Sequence, residues 1–377
     1  MTPSLPPTDG KPGPSSPCPA LLEPIRLGSL LVKNRVEAAP SLPNLAGADG
    51  FVTRELIAYY QAKARGGAGI VTIGESAVDA DYAPTHGGQL LIDHDNKISG
   101  LNALAEAIKR YGARASLELC HAGRQTTPHL IGDRQPIAPS PIPSAFHEML
   151  AGQEISVQEM TPAMIEQVVE NYADAALRLK RAGFDMVLLH GGHGWLLAQF
   201  LSPLTNKRAD EYGGTIENRA QFSLQVLRRI RERCGSDFAI EYRFSADEHV
   251  PGGLQLDEAT RFAELIESEV DCFQVSCGMI GEPSTFPIIH PACYLPHGRN
   301  VHLAQAIKAR VTKPVTAVGA ILDLELGEKI VSEGSADLVA MARALIADPD
   351  LPRKGVSGRG EDISPCIRCN ECLARVA

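Results

Sequence analysis

Two histidines three residues apart, His190 and His193, open the stretch HGGHGWLLAQFLSPLTNKRADEYGGTIENR, which runs to Arg219 and is the chain's densest group of polar, aromatic and glycine residues. Imidazoles this close can grip one oxygen atom of a small molecule and polarise it. A lone buried histidine is most often a satisfied core residue. A pair followed at once by Trp195 and a charged loop points instead to a binding site. Zinc is the poorer reading, because Gly191 and Gly192 spoil a helical two-histidine face and no third ligand follows at a useful spacing.

Something must hold that pair in place. FDMVLL, from Phe184 to Leu189, is an apolar run of strand length, entered after a helical pattern that Thr161-Pro162 begins and Ala182 ends. His190 is therefore expected at the carboxyl end of a buried strand, with Gly191 and Gly192 freeing the backbone so that His193 folds back. The same alternation recurs along the chain. IRLGSLLVKNR reads as a hairpin around Gly28 and Ser29, VEAAP as a first strand, GAGIVTIGES as a second ending near Glu75, and ARASLEL as a third ending at Glu118 to His121. FAIEYRF, CFQVSC, PVTAVGA and ADLVAMA supply four more after the histidine strand, and helices are expected at 54–65, 99–111, 217–234, 257–269, 304–310 and 323–333. Eight strands alternating with helices favour a single α/β domain, a closed (β/α)8 TIM barrel, over an open doubly wound sheet. Sites in such barrels ring the carboxyl ends of the strands, which gathers Pro40, Glu75, Glu118, His121, His190, His193, Arg243, Cys277, Gly319 and Arg343 at one mouth. Phosphate commonly sits after strands seven and eight, here at Val318-Gly319-Ala320 and Ala342-Arg343.

Composition narrows the partners. With 377 residues, 44% of them hydrophobic, the chain can bury a large core. A net charge of −9, spread without a basic block and with few aromatics, argues against nucleic acid, and no apolar run approaches membrane-spanning length. Residues 1–20 read as a disordered Pro/Ser-rich lead without the apolar core of a secretory signal, and nine cysteines lacking disulfide-scaffold spacing fit a reducing, cytoplasmic setting. The barrel is expected over 21–360 and a short cysteine-containing tail over 361–377; a homo-oligomer is compatible with all of this.

Taken together, AAPSL at 38–42, ELCHAGR at 118–124, the thirty-residue histidine stretch, EYRFSADE at 241–248, AVGAI at 317–321, VAMAR at 339–343 and the closing CIRCNEC resemble the old yellow enzyme family. The resemblance is to the FMN barrel of its iron-sulfur branch, which includes dienoyl-CoA reductase, enoate reductases and trimethylamine dehydrogenase. It implies FMN across the barrel mouth, with Pro40, Ser41, Leu42, Gly74 and Glu75 bordering the isoalloxazine. Glu118, where many relatives have Gln, would meet the pyrimidine edge. Arg243 would face N1 and the C2 carbonyl, and Gly319, Ala320, Ala342 and Arg343 would take the phosphate.

The resemblance also implies the chemistry: hydride transfer from flavin N5 to the activated C=C of an α,β-unsaturated carbonyl or carboxylate, with His190, His193 and Arg243 catalytic and Trp195 in the substrate wall. Relatives commonly place a Tyr proton donor where this chain has Trp195, and an indole N–H is no acid near neutral pH. Glu282, Tyr82, Tyr294 and water are then the donor candidates. Two other readings stand beside this one: oxidation of an N-methylated amine, with Trp195 as a cation wall, and a non-catalytic flavin-binding assembly subunit. Cys366, Cys369 and Cys372 form CxxCxxC, part of a four-iron site whose fourth ligand in relatives follows roughly a dozen residues later. The chain closes at Ala377, so a truncated chain, an engineered fragment or a stand-alone version is expected, with an unstructured tail from about Ser364 and low iron content. The other cysteines are expected to be out of its reach, Cys18 being placed in the mobile lead and Cys120, Cys234, Cys272, Cys277 and Cys293 pinned by the barrel. FAD would belong to a missing C-terminal region, and NAD(P)H would act only indirectly, through an electron-donor domain or protein.

Overall fold

The computed structural model describes residues 18–145, 147, 152 and 154–374, so most of the expected lead lies outside the described residues. A two-stranded antiparallel hairpin, β1 (Ile25–Leu27) and β2 (Leu30–Val32), carries Leu27 and Val32 against the barrel floor. The barrel itself is β3 (Val36–Ala38), β4 (Ile70–Ala77), β5 (Arg114–Cys120), β8 (Met186–Gly191), β9 (Ala239–Ser245), β10 (Cys272–Ser276), β11 (Val315–Val318) and β12 (Leu338–Met341). All eight pair in parallel, and β12 closes on β3. Two short strands, β6 (Ile137–Ala138) and β7 (Gln158–Glu159), pair outside it within the long loop after β5.

The helices form where the sequence signals placed them. Thr53 and Thr161 accept from Leu56 N and Met164 N as N-caps of Arg54–Arg65 and Pro162–Arg181, and Asp323 caps Leu324–Ser332. The helix expected over 217–234 is broken at Ala220 into Ile216–Arg219 and Gln221–Cys234. A helix not expected, Leu196–Leu201, starts directly after Trp195. Among the described residues, no helix is long and apolar enough to cross a membrane.

The barrel interior is not wholly apolar. Glu37 and Glu241, both fully buried, share the amide nitrogen of Gln274 at 3.0 and 3.5 Å, with Thr72 and Thr316 donating to them. Burial pushes both carboxyls up, Glu241 to about 7. Protonated carboxyls can share hydrogen bonds that two carboxylates could not.

Both chain ends depart from expectation. Cys18 is 5% exposed, its thiol near Leu324 O, and Pro19–Leu22 forms a helix whose start is held by Glu328 on Ala20 N and Leu21 N. It therefore belongs to the packed fold and not to a mobile lead. The tail is also ordered through residue 374. Ser364 N bonds Asp348 Oδ2, Arg368 is buried and donates to Leu295 O and Cys293 O at 2.6 and 3.0 Å, and Asn370 bonds His290 O. An unstructured tail from Ser364 is thus incorrect, because Arg368 and Asn370 find backbone carbonyls in the β10–β11 loop. The tail meets Cys293 through its backbone carbonyl, which accepts from Arg368.

Candidate active site

A cavity of about 1160 Å³ opens at the carboxyl ends of the barrel strands. Pro40, Ser41, Leu42, Glu75, Glu118, His190, His193, Trp195, Arg243, Gly319, Ala320, Ala342 and Arg343 all line it. Three residues expected at the mouth or cofactor face do not. Gly74 lies behind Ser41, so close that a Cβ would stand 2.3 Å from Ser41 N. His121 is buried behind the wall, accepting from Gly123 N, and the Cys277 thiol turns to Asn300 Oδ1.

The histidine pair forms by a different local device from the one expected. Gly191 is still in β8, and a Cβ there would strike the Tyr242 ring at 2.3 Å, so this glycine serves close packing. The reversal is made by His193 itself, at φ +56, with Gly194 after it. Ser245 Oγ holds His193 N at 3.0 Å, and Ile280 N donates to His193 O. The rings then meet edge to face, with His193 Nδ1 3.4 Å from His190 Nε2. Burial, with Arg243 adding to it, drives both imidazoles well below their ordinary range, so both are neutral. Trp195 packs 6.2 Å from the His190 ring.

Glu118 organises the charge beneath them. Its Oε1 lies 3.1 Å from Arg243 Nη1 and 3.7 Å from His190 Nδ1, and its Oε2 accepts from Glu75 N. Glu75 reaches the wall because β4 bulges between Ile73 and Ser76 and Glu75 takes φ +35. Burial, then the neighbouring Glu118, pushes its carboxyl up to about 8.

Trp195 is buried in the wall, whereas Glu282, Tyr82 and Tyr294 lie outside the cavity lining; Tyr294 is 71% exposed. The outer wall is mainly apolar: Leu130, Ile280, Pro283, Phe286 and Leu322, with His86, Thr127 and His129 from the loops after β4 and β5. Loop sequence carries no periodicity from which these could have been chosen. Ser276 was likewise missed; its hydroxyl lies 2.7 Å from His193 Nε2, and only the pairing of β10 with β9 brings it there.

The model for the NADH:flavin oxidoreductase / NADH oxidase family matches residues 20–362. The chain belongs to that family. Its barrel is of the old yellow enzyme type, and membership implies FMN. It is 43% identical over 353 residues to an NADH oxidase of Thermoanaerobacter brockii, covering 93% of this chain and 53% of the relative. A cinnamate reductase of Clostridium sporogenes is 30% identical over 381 residues, covering 94% and 56%. The structure of a 2-naphthoyl-CoA reductase complex superposes with a TM-score of 0.86 at 31% identity, over 93% of this chain and 54% of that one. The chain spans about half the length of these relatives.

The residues present fit an FMN. Arg243 Nε is buried without a partner, and Arg243 lines a cavity large enough for a flavin and a second ligand. Gly319 takes φ +130 and Ala320 φ +51 at the β11 end, and Arg343 stands at the β12 end. Arg343 also bonds Pro291 O and Asn370 Oδ1, which ties the expected phosphate corner to the tail. Cys372 and Leu373 come into the cavity wall there, beside Arg343. The charges of Cys366, Cys369 and Cys372, when ionised, would act on the same guanidinium, against the burial that lowers its pKa. Among the described residues, no group of three His, Cys, Asp or Glu is disposed to hold a metal ion. The iron-sulfur reading therefore rests on the spacing of the cysteines and on the resemblance.

Proposed function

We propose that this chain is the catalytic barrel of an FMN-dependent ene-reductase acting on an α,β-unsaturated carbonyl or carboxylate. Bound FMN supplies the hydride. The observation that carries the reading is the neutral His190–His193 pair, 3.4 Å apart, facing a mainly apolar cavity beside Arg243. Both imidazoles donate hydrogen bonds to the activating oxygen. Being neutral, they stabilise charge as it develops there without first surrendering a proton. Arg243 adds positive potential at the base of the site, and Glu118 limits it through their 3.1 Å contact. Trp195, Ile280 and Phe286 line the reacting face with apolar surface, and a water entering through the open mouth delivers the proton that Trp195 cannot.

The outer wall speaks against a cationic amine. Among the described residues, the carboxylates that line the cavity, Glu75 and Glu118, lie deep among the strand ends, and Glu75 holds its proton to about pH 8. Arg243, both histidines and the β11–β12 corner with Gly319 and Arg343 speak against a binding-only subunit. Electrons would come from NADH by way of a partner domain or protein.

The test is an anaerobic titration. FMN-loaded, photoreduced protein should be reoxidised by enones or enoates, and the oxidised protein should stay unreduced by methylated amines. His190→Ala with His193→Ala should keep FMN but weaken phenol binding by about 2–5 kcal/mol. Reduction of the flavin by an amine, with no reoxidation by any activated alkene, would overturn the reading.

A further inference from the structure

Ser276 closes β10 and is 2% exposed. Among the described residues, its hydroxyl has one hydrogen-bond partner, His193 Nε2 at 2.7 Å. The neighbouring Ser245, in register with it on β9, is committed elsewhere: its hydroxyl donates to Gly278 O and accepts from His193 N. The two serines thus hold one histidine, Ser245 by its backbone and Ser276 by its ring.

A buried O–H that donates to nothing is costly, and Nε2 is the acceptor within Ser276's reach. The arrangement that satisfies both groups has Ser276 donating to Nε2. The ring hydrogen of the neutral imidazole then sits on Nδ1, the nitrogen that faces His190. The reverse arrangement, Nε2–H donating to Ser276, strands the hydroxyl hydrogen and leaves a bare lone pair at the His190 side.

We propose that Ser276 is a positioning residue that locks His193 in its Nδ1–H tautomer, so that the histidine pair selects ligands presenting an acceptor oxygen over ligands presenting an N–H. Carbonyls, carboxylates and phenolates meet a fixed donor there; a protonated amine meets a like-polarised hydrogen. The proposal rests on the reading of His190 and His193 as an oxygen clamp. It places the determinant of ligand class behind the pair, on a strand that does not itself touch the ligand.

The experiment uses the FMN-loaded full chain, labelled with ¹⁵N-histidine, with His193 resonances assigned by their loss in His193→Asn. Wild type should show a protonated Nδ1 and an unprotonated Nε2. In Ser276→Ala the tautomer should shift or mix, and the affinity for 4-hydroxybenzaldehyde, read from the flavin charge-transfer band, should fall about tenfold. Ser276→Thr, which keeps the hydroxyl, should restore both, and it also carries the test if the alanine variant folds poorly. An Nε2–H tautomer in wild type, or an alanine variant with unchanged tautomer and affinity, would overturn the proposal. If tautomer and affinity respond as expected while no activated alkene is reduced, the clamp and its lock stand and the ene-reductase reading fails.

Discussion

Lys63→Met should stabilise this chain, by an amount that shrinks as pH rises. Lys63 is 2% exposed and has no carboxylate partner among the described residues. Its ammonium donates to Ser41 Oγ at 3.2 Å and lies 4.0 and 5.1 Å from the ring centres of Tyr59 and Tyr60. Burial alone lowers it from 10.5 to about 7. A lysine whose folded pKa lies below its unfolded value binds fewer protons when folded, so stability rises with pH between those two values. At about 1.4 kcal/mol per pKa unit, the cost of burying Lys63 is about 5 kcal/mol at pH 6, about 3 at pH 8 and about 1 at pH 10. Methionine removes that cost and gives up the Ser41 contact, which offsets about 1–2 kcal/mol. The variant should therefore gain about 3 kcal/mol at pH 6 and almost nothing at pH 10. Urea unfolding of both proteins at pH 6, 8 and 10, at equal cofactor loading, reads this directly. A difference between them that stays constant across that range would refute the reasoning, since it would mean that Lys63 keeps its ordinary pKa.

Three further outcomes are expected. Glu118→Gln removes the carboxylate that partly cancels Arg243 at 3.1 Å, so spectroelectrochemistry should find the flavin potential raised by about 30–60 mV, and an unchanged or lowered potential would count against Arg243 facing the flavin. Glu75 is neutral up to about pH 8 and ionises above it, so FMN affinity should weaken above that pH and Glu75→Gln should flatten the profile; a variant with the wild-type inflection would clear Glu75 of the effect. Arg368→Ala deletes the bonds to Cys293 O and Leu295 O and should expose the segment 364–374 to limited proteolysis at least tenfold faster, whereas equal rates would mean that other contacts hold the tail.

Much of this architecture was legible in one dimension because barrel strands and helices carry local signals. Period-2 apolar runs and capping residues such as Thr53, Thr161 and Asp323 mark elements wherever the chain ends up, and alternation over this length leaves few topologies. Strand ends convert position into chemistry, which is why the sequence alone puts His190, Arg243, Glu118 and Gly319 at one mouth. What the sequence could not decide were partners far apart in the chain. The contact of Ser276 with His193, the ion pair of Glu118 with Arg243 and the burial of Lys63 against Ser41 span 83, 125 and 22 residues, and no periodicity reports them. The tail was misjudged for the same reason. CIRCNEC reads as a ligand fragment, yet its fate turns on Arg368 and Asn370 meeting carbonyls of a loop some 75 residues upstream, contacts that exist only once the barrel has closed and brought β10, β11 and β12 side by side.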